Sequence, residues 1–124
     1  MKNLSPSLTI YKFPIGAISS ITNRLTGAYL SKLFVFGGVI SLLDYNKYVY
    51  NHYEHLKTDN FGAYLLKGFN YVTVFSLVYH SIGGVRHIVW DKFPSLLTNK
   101  SVNMQSKMMF LISVPLTFMC EKLI

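Results

Sequence analysis

Three stretches of this chain carry no charge, and they are long enough to set its architecture. Eleven uncharged residues separate Lys32 from Asp44, eighteen separate Lys67 from Arg86, and thirteen separate Lys107 from Glu121. A soluble helical bundle would need polar faces on these stretches, and they have almost none. A membrane is the better solvent for them. The pattern predicts an all-α membrane protein of three transmembrane helices, a single membrane-anchor domain over 1–124. The first span is placed at 25–43, where nineteen residues at 1.5 Å rise cover about 29 Å, close to the hydrocarbon thickness. Lys32 falls inside it, and its stem is expected to snorkel to the headgroups. The second span is placed at 64–87, with its helix ending by Phe93 because Pro94 follows. The third is charge-free only over 108–120; snorkelling by Lys107 and Lys122 extends it to about 106–124, and Pro115 is expected to kink it.

Composition sharpens this reading. The chain is 51% hydrophobic and only 14% charged, against about 25% charged residues in an ordinary soluble domain. Its net charge of +7 is spread singly along the chain, without the clustered stripe that nucleic acid needs. Membrane lipid is the expected partner and nucleic acid is not. Under three spans, Lys2, Lys12, Arg24, Arg86, Lys92, Lys100 and Lys107 fall on one side. The other side holds Lys47 and Lys57 (with Lys67 at its edge), offset by Asp44, Glu54 and Asp59. Basic residues collect on the inner side, so a multi-pass protein with its N-terminus on the matrix or cytoplasmic side is expected. The single cysteine, Cys120, excludes an internal disulfide and a cysteine-built zinc or iron–sulfur site. Residues 1–14 show neither a signal-peptide core nor an arginine-rich transit pattern. That fits either a removed presequence or a bacterial or organelle gene.

The chemistry concentrates in the second span. His80 lies six residues, about 9 Å along the axis, before the first charge at Arg86. An ionisable side chain at that depth is costly and points to function. His80, Gly83, Gly84 and His87 stand at i, i+3, i+4 and i+7, on one helix face. Two glycines beside a histidine leave a shallow groove that suits a flat macrocycle, with the imidazole as axial ligand to iron. Arg86 and His87, nearer the surface, are placed to meet anionic propionates. The same pattern also serves plain helix packing, with His80 hydrogen-bonding across helices; the spacing leaves both readings open. His52 and His55 lie in the first loop, so a second iron ligand would come from a partner subunit. In the first helix, Ser20 and Arg24 share a face at i and i+4. There a hydroxyl and a guanidinium suit a ligand's carbonyl oxygen, or the arginine holds lipid phosphate, as basic residues flanking spans routinely do.

At these segments the sequence resembles a known family. Ser5-Pro6-Ser7-Leu8-Thr9-Ile10-Tyr11-Lys12, Ser20-Ile21-Thr22-Asn23-Arg24-Leu25-Thr26-Gly27 and His80 through Asp91 are similar to the cytochrome b subunit of succinate dehydrogenase. The third motif is the most specific, and together they cover about the first three-quarters of the chain. The resemblance implies a complex II anchor in a heteromeric helical bundle, in the mitochondrial inner membrane or a bacterial plasma membrane. It implies that His80 ligates haem b, with the other ligand from a second membrane-anchor subunit, and that His87 lies near the propionates. It implies that Ser20 and Arg24 contribute to a ubiquinone pocket near the iron–sulfur subunit, which receives electrons from a flavoprotein subunit. Asn23 and Ser7 stand where the family has histidines, and Lys32 where its helix is usually uncharged. No flavin or iron–sulfur motif is present, so the chain is expected to catalyse nothing alone and to bind and orient cofactors that do the chemistry. The competing expectation is a purely structural membrane subunit of a respiratory complex, without haem.

Overall fold

The structure, a computed structural model, describes residues 12–123. Lys2 and nearly all of the first motif, residues 5–11, lie outside the described residues. Four α-helices follow in order: α1 (Ile15–Leu42), α2 (Asn46–Thr58), α3 (Asn60–Lys92) and α4 (Asn99–Glu121), with a 3₁₀ turn (Pro94–Leu96) before the last. Among the described residues there is no strand.

Local chemistry explains the breaks. The α1 end is a Schellman-type stop: Asp44 takes the left-handed conformation (φ 58°), with Asp44 N–H bonded to the Ser41 carbonyl and Tyr45 N–H to that of Ile40. Asp59 caps α3 by accepting the Gly62 N–H at 3.2 Å. The turn between α2 and α3 is tight enough that a Cβ on Gly62 would run into the Leu56 carbonyl. Phe93 ends α3 ahead of Pro94, as the sequence predicts. Thr98 caps α4 by accepting the Ser101 N–H.

Three long helices form the bundle. α3 packs against both α1 and α4, α1 touches α4, and α2 lies against α3. Successive contacts fix the α1–α3 register as antiparallel: Ser19 meets Arg86, Asn23 meets Gly83, Gly27 meets His80 and Tyr29 meets Thr73. Trp90–Gln105, Arg86–Ser106 and Tyr71–Phe118 do the same for α3 and α4. The N-terminal part of α1, the C-terminal part of α3 and the N-terminal part of α4 therefore share one end of the bundle, and α2 sits toward the other.

The interior is small and polar. The buried side chains are Ser19 and Thr26 of α1, Ser76, Tyr79 and Arg86 of α3, and Ser106, Met109, Ser113 and Thr117 of α4. Large apolar side chains point outward instead: Phe34 is 84% exposed, Leu42 86% and Leu111 69%. In water this inversion would be unstable, because burial of apolar surface is the main driving force of folding. In lipid it is the expected order, since small residues and hydroxyls bring membrane helices together. α1 and α3 are each long and apolar enough to cross a membrane. The chain is an all-α membrane protein.

The elements run longer than the expected spans. α1 begins at Ile15 rather than at 25, and α3 covers 60–92 rather than 64–87. Hydropathy marks only the segment that lipid covers, whereas the helix continues wherever its backbone stays bonded. α4 covers 99–121, starting before the expected 106–124 and ending short of it, contains Pro115, and does not reach the apolarity of the other two. Helix α2 occupies what the charge pattern makes a loop; it is polar on average and amphipathic.

Candidate functional site

The candidate site lies where α1 crosses the second half of α3. His80 is exposed on the bundle's outer surface, with one ring edge resting on α1. A Cβ built on Gly27 would come within 2.6 Å of His80 Cε1, so only glycine lets the imidazole lie there. His80 Nδ1 is 3.0 Å from the Asn23 main-chain carbonyl oxygen. A carbonyl oxygen only accepts, so Nδ1 is the nitrogen that carries the proton. In the neutral ring Nε2 then keeps its lone pair, and it has no hydrogen-bond partner among the described residues.

The two glycines of α3 have separate jobs. Gly83 is buried under the Asn23 amide, and a Cβ there would collide with it. It lets α1 approach. Gly84 faces open space, with nothing within 4 Å of where its Cβ would be. The face therefore keeps half of the expected groove: His80, open Gly84 and then His87, which is exposed and meets the Trp90 ring edge-on at 5.3 Å. An exposed imidazole one turn from an open glycine is a side chain that could hold the iron of a flat macrocycle.

Arg86 does not share that face. It is 9% exposed and runs into the seam of three helices, donating from one terminal nitrogen to Ser19 Oγ and Ser106 Oγ, both at 3.2 Å. Its guanidinium also stacks over Trp90 at 4.5 Å, while its Nε has no partner. Ser19 Oγ further accepts the hydroxyl of Tyr79 at 2.9 Å. One arginine thus ties α1, α3 and α4 together through hydroxyls, with no carboxylate of the described residues in ion-pair reach. Ser19, Tyr79, Ser106, Gly27 and the Asn23 carbonyl escape a reading based on charge and on histidine. The available signal was the recurrence of small hydroxyl residues at seven-residue spacing, Ser19 with Thr26 and Ser106 with Ser113.

Ser20 and Arg24 stand one turn apart on α1, Ser20 half-buried and Arg24 exposed, and neither side chain has a partner among the described residues. They lie on the same stretch of α1 that supports His80, toward the bundle end occupied by Arg86. No group of three or more His, Cys, Asp or Glu side chains converges among the described residues.

Fold and site together define a class: a helical membrane protein with a polar seam and an exposed imidazole held against a neighbouring helix on an outward face. Residues 1–120 match the model of the succinate dehydrogenase/fumarate reductase transmembrane subunit, and the chain belongs to that family. It is 38% identical over 91 residues to the mitochondrial succinate dehydrogenase cytochrome b560 subunit of Mus musculus, covering 71% of this chain and 52% of that one. It is 32% identical over 108 residues to the same-named mitochondrial subunit of Dictyostelium discoideum, covering 87% and 55%. With the cytochrome b560 subunit of Cyanidium caldarium it shares 37% over 109 residues, covering 85% and 80%. The chain thus spans about half the length of the mouse and Dictyostelium relatives.

Proposed function

We propose that this chain is the haem b- and quinone-binding membrane anchor of a succinate dehydrogenase, passing electrons from an iron–sulfur subunit to ubiquinone. The observation that carries the haem assignment is His80: its Nδ1 is engaged with Asn23, and its Nε2 has no hydrogen-bond partner among the described residues, on an exposed face that continues to open Gly84 one turn on. Bound there, the haem would supply a one-electron carrier close to the quinone. His80 would hold the iron, with a further ligand from a second membrane-anchor subunit, because among the described residues nothing covers this surface of α3. His87, two turns on along the same face, is assigned to the propionate end. Arg86 supports that end from behind, by fixing α3, which carries both histidines, against α1 and α4.

Ser20 and Arg24 are assigned to the quinone. Neither side chain has a partner among the described residues, and a guanidinium with a neighbouring hydroxyl stabilises negative charge developing on a quinone oxygen. The iron–sulfur and flavoprotein subunits would dock at the bundle end holding Arg24, Lys92, Lys100 and Lys107, which the charge rule puts on the matrix or cytoplasmic side of an inner mitochondrial or bacterial plasma membrane. Three crossings, α1, α3 and α4, are assigned, a reading that the antiparallel register of the bundle supports.

The structural alternative has one observation in its favour, the cross-helix bond from His80 to Asn23. That bond uses one ring nitrogen and leaves the other without a task, which favours ligation. The test is His80→Ala in the purified complex. Loss of the dithionite-reducible b-type absorbance, with assembly retained, is expected; an unchanged haem spectrum would remove His80 as ligand.

A further inference from the structure

We infer that α1 positions the haem ligand of α3: the Asn23 main-chain carbonyl holds His80 Nδ1–H while the missing side chain of Gly27 leaves the seat on which the ring rests. The inference rests on the haem reading and extends it to residues of α1.

Three observations carry it. The Nδ1–O separation of 3.0 Å is an ordinary hydrogen bond, and the acceptor is a carbonyl, so the tautomer follows from chemistry alone. The edge of the ring bearing Nδ1, Cε1 and Nε2 lies over Gly27, at 3.1, 2.6 and 3.3 Å from where a Cβ would be. A methyl there would push the whole edge away from α1 and lengthen the bond to Asn23. The Asn23 amide is occupied separately, against Gly83. Position 23 therefore acts on His80 through its main chain, and asparagine in place of a histidine leaves this contact intact.

A ligating histidine whose second nitrogen donates to a carbonyl is held in one orientation and is made more basic toward the metal. Losing such a partner typically weakens metal binding by about 10- to 100-fold. A less basic imidazole also stabilises ferric iron less, so the haem potential rises.

The test compares the wild-type complex with Gly27→Ala and with Gly37→Ala, whose added Cβ meets nothing within 4 Å. Gly27→Ala is expected to retain haem at least about tenfold more weakly and to raise its midpoint potential; Gly37→Ala should match the wild type. Equal behaviour of the two variants would overturn the inference. Independently of whether Gly27→Ala assembles, solid-state NMR of the wild-type complex with ¹⁵N-histidine and ¹³C-asparagine reads the bond directly. A protonated His80 Nδ1 correlated with the Asn23 carbonyl carbon is expected, and an unprotonated Nδ1 would sink the inference. If His80→Ala kept its haem, ligation would fail while this correlation still stood, so the two failures are distinguishable.

Discussion

Gly83→Ala tests the closest approach in the bundle. The Asn23 amide lies where the new methyl would go, so α1 must move away or the amide must swing out of a buried site. Overpacking of a filled interior costs about 1–3 kcal/mol. Asn23 is half-buried and its Oδ1 has no hydrogen-bond partner among the described residues, so rotation of the amide sacrifices no bond of that oxygen and about 1–2 kcal/mol is the expected loss. Asn23→Ala in the same background removes the obstructing group and makes room for the methyl. The double variant should therefore be more stable than Gly83→Ala alone, with a coupling of about 1 kcal/mol or more. The assay is the midpoint of detergent-induced unfolding of the purified complex, followed by helical circular dichroism, for the wild type, both single variants and the double. Additive single-variant losses, or a Gly83→Ala as stable as the wild type, would refute the claim that this pair sets the spacing of α1 and α3.

Two other predictions concern the quinone end and the topology. Arg24→Gln removes the guanidinium but keeps a donor; a hydrogen bond to a charged group contributes about 1.5–3 kcal/mol, so succinate-driven quinone reduction should fall about ten- to a hundredfold while transfer to a soluble dye upstream is unchanged. Equal loss with both acceptors would place Arg24 outside the quinone site. In a Cys120→Ser background, cysteines introduced at Asn51 in α2 and at Ser95 between α3 and α4 should react with an impermeant maleimide from opposite faces of sealed membranes. Labelling of both from one face would exclude the up-and-down arrangement.

Much of the fold was legible because lipid imposes its rule on the chain directly. Uncharged stretches marked the three long helices, Pro94 marked the end of α3, and the spacing of His80, Gly84 and His87 put them on one face. The polar starts of α1 and the whole of α2 were not legible from charge. Residues such as Ser19, Asn23 and Arg24 look unsuited to a span, yet they continue the helix, because hydroxyls bond back into its own carbonyls (Thr22 to Ile18, Thr26 to Thr22) or across the seam. α2 has no uncharged run, and its packing on α3 depends on a close turn at Gly62 that periodicity does not reveal.

The sequence by itself determined that this chain lives in a membrane as helices, which of its residues are costly there, and which family it resembles. The reason is that solvation by lipid acts on each residue separately and can be read along the chain. The tertiary structure alone decided how those residues are divided. It turned Arg86 inward to Ser19 and Ser106, closed Gly83 under Asn23, left Gly84 open, and set one nitrogen of His80 against a carbonyl 57 residues away. Those outcomes depend on the rotation and register of one helix against another, which are fixed by contacts between residues distant in sequence.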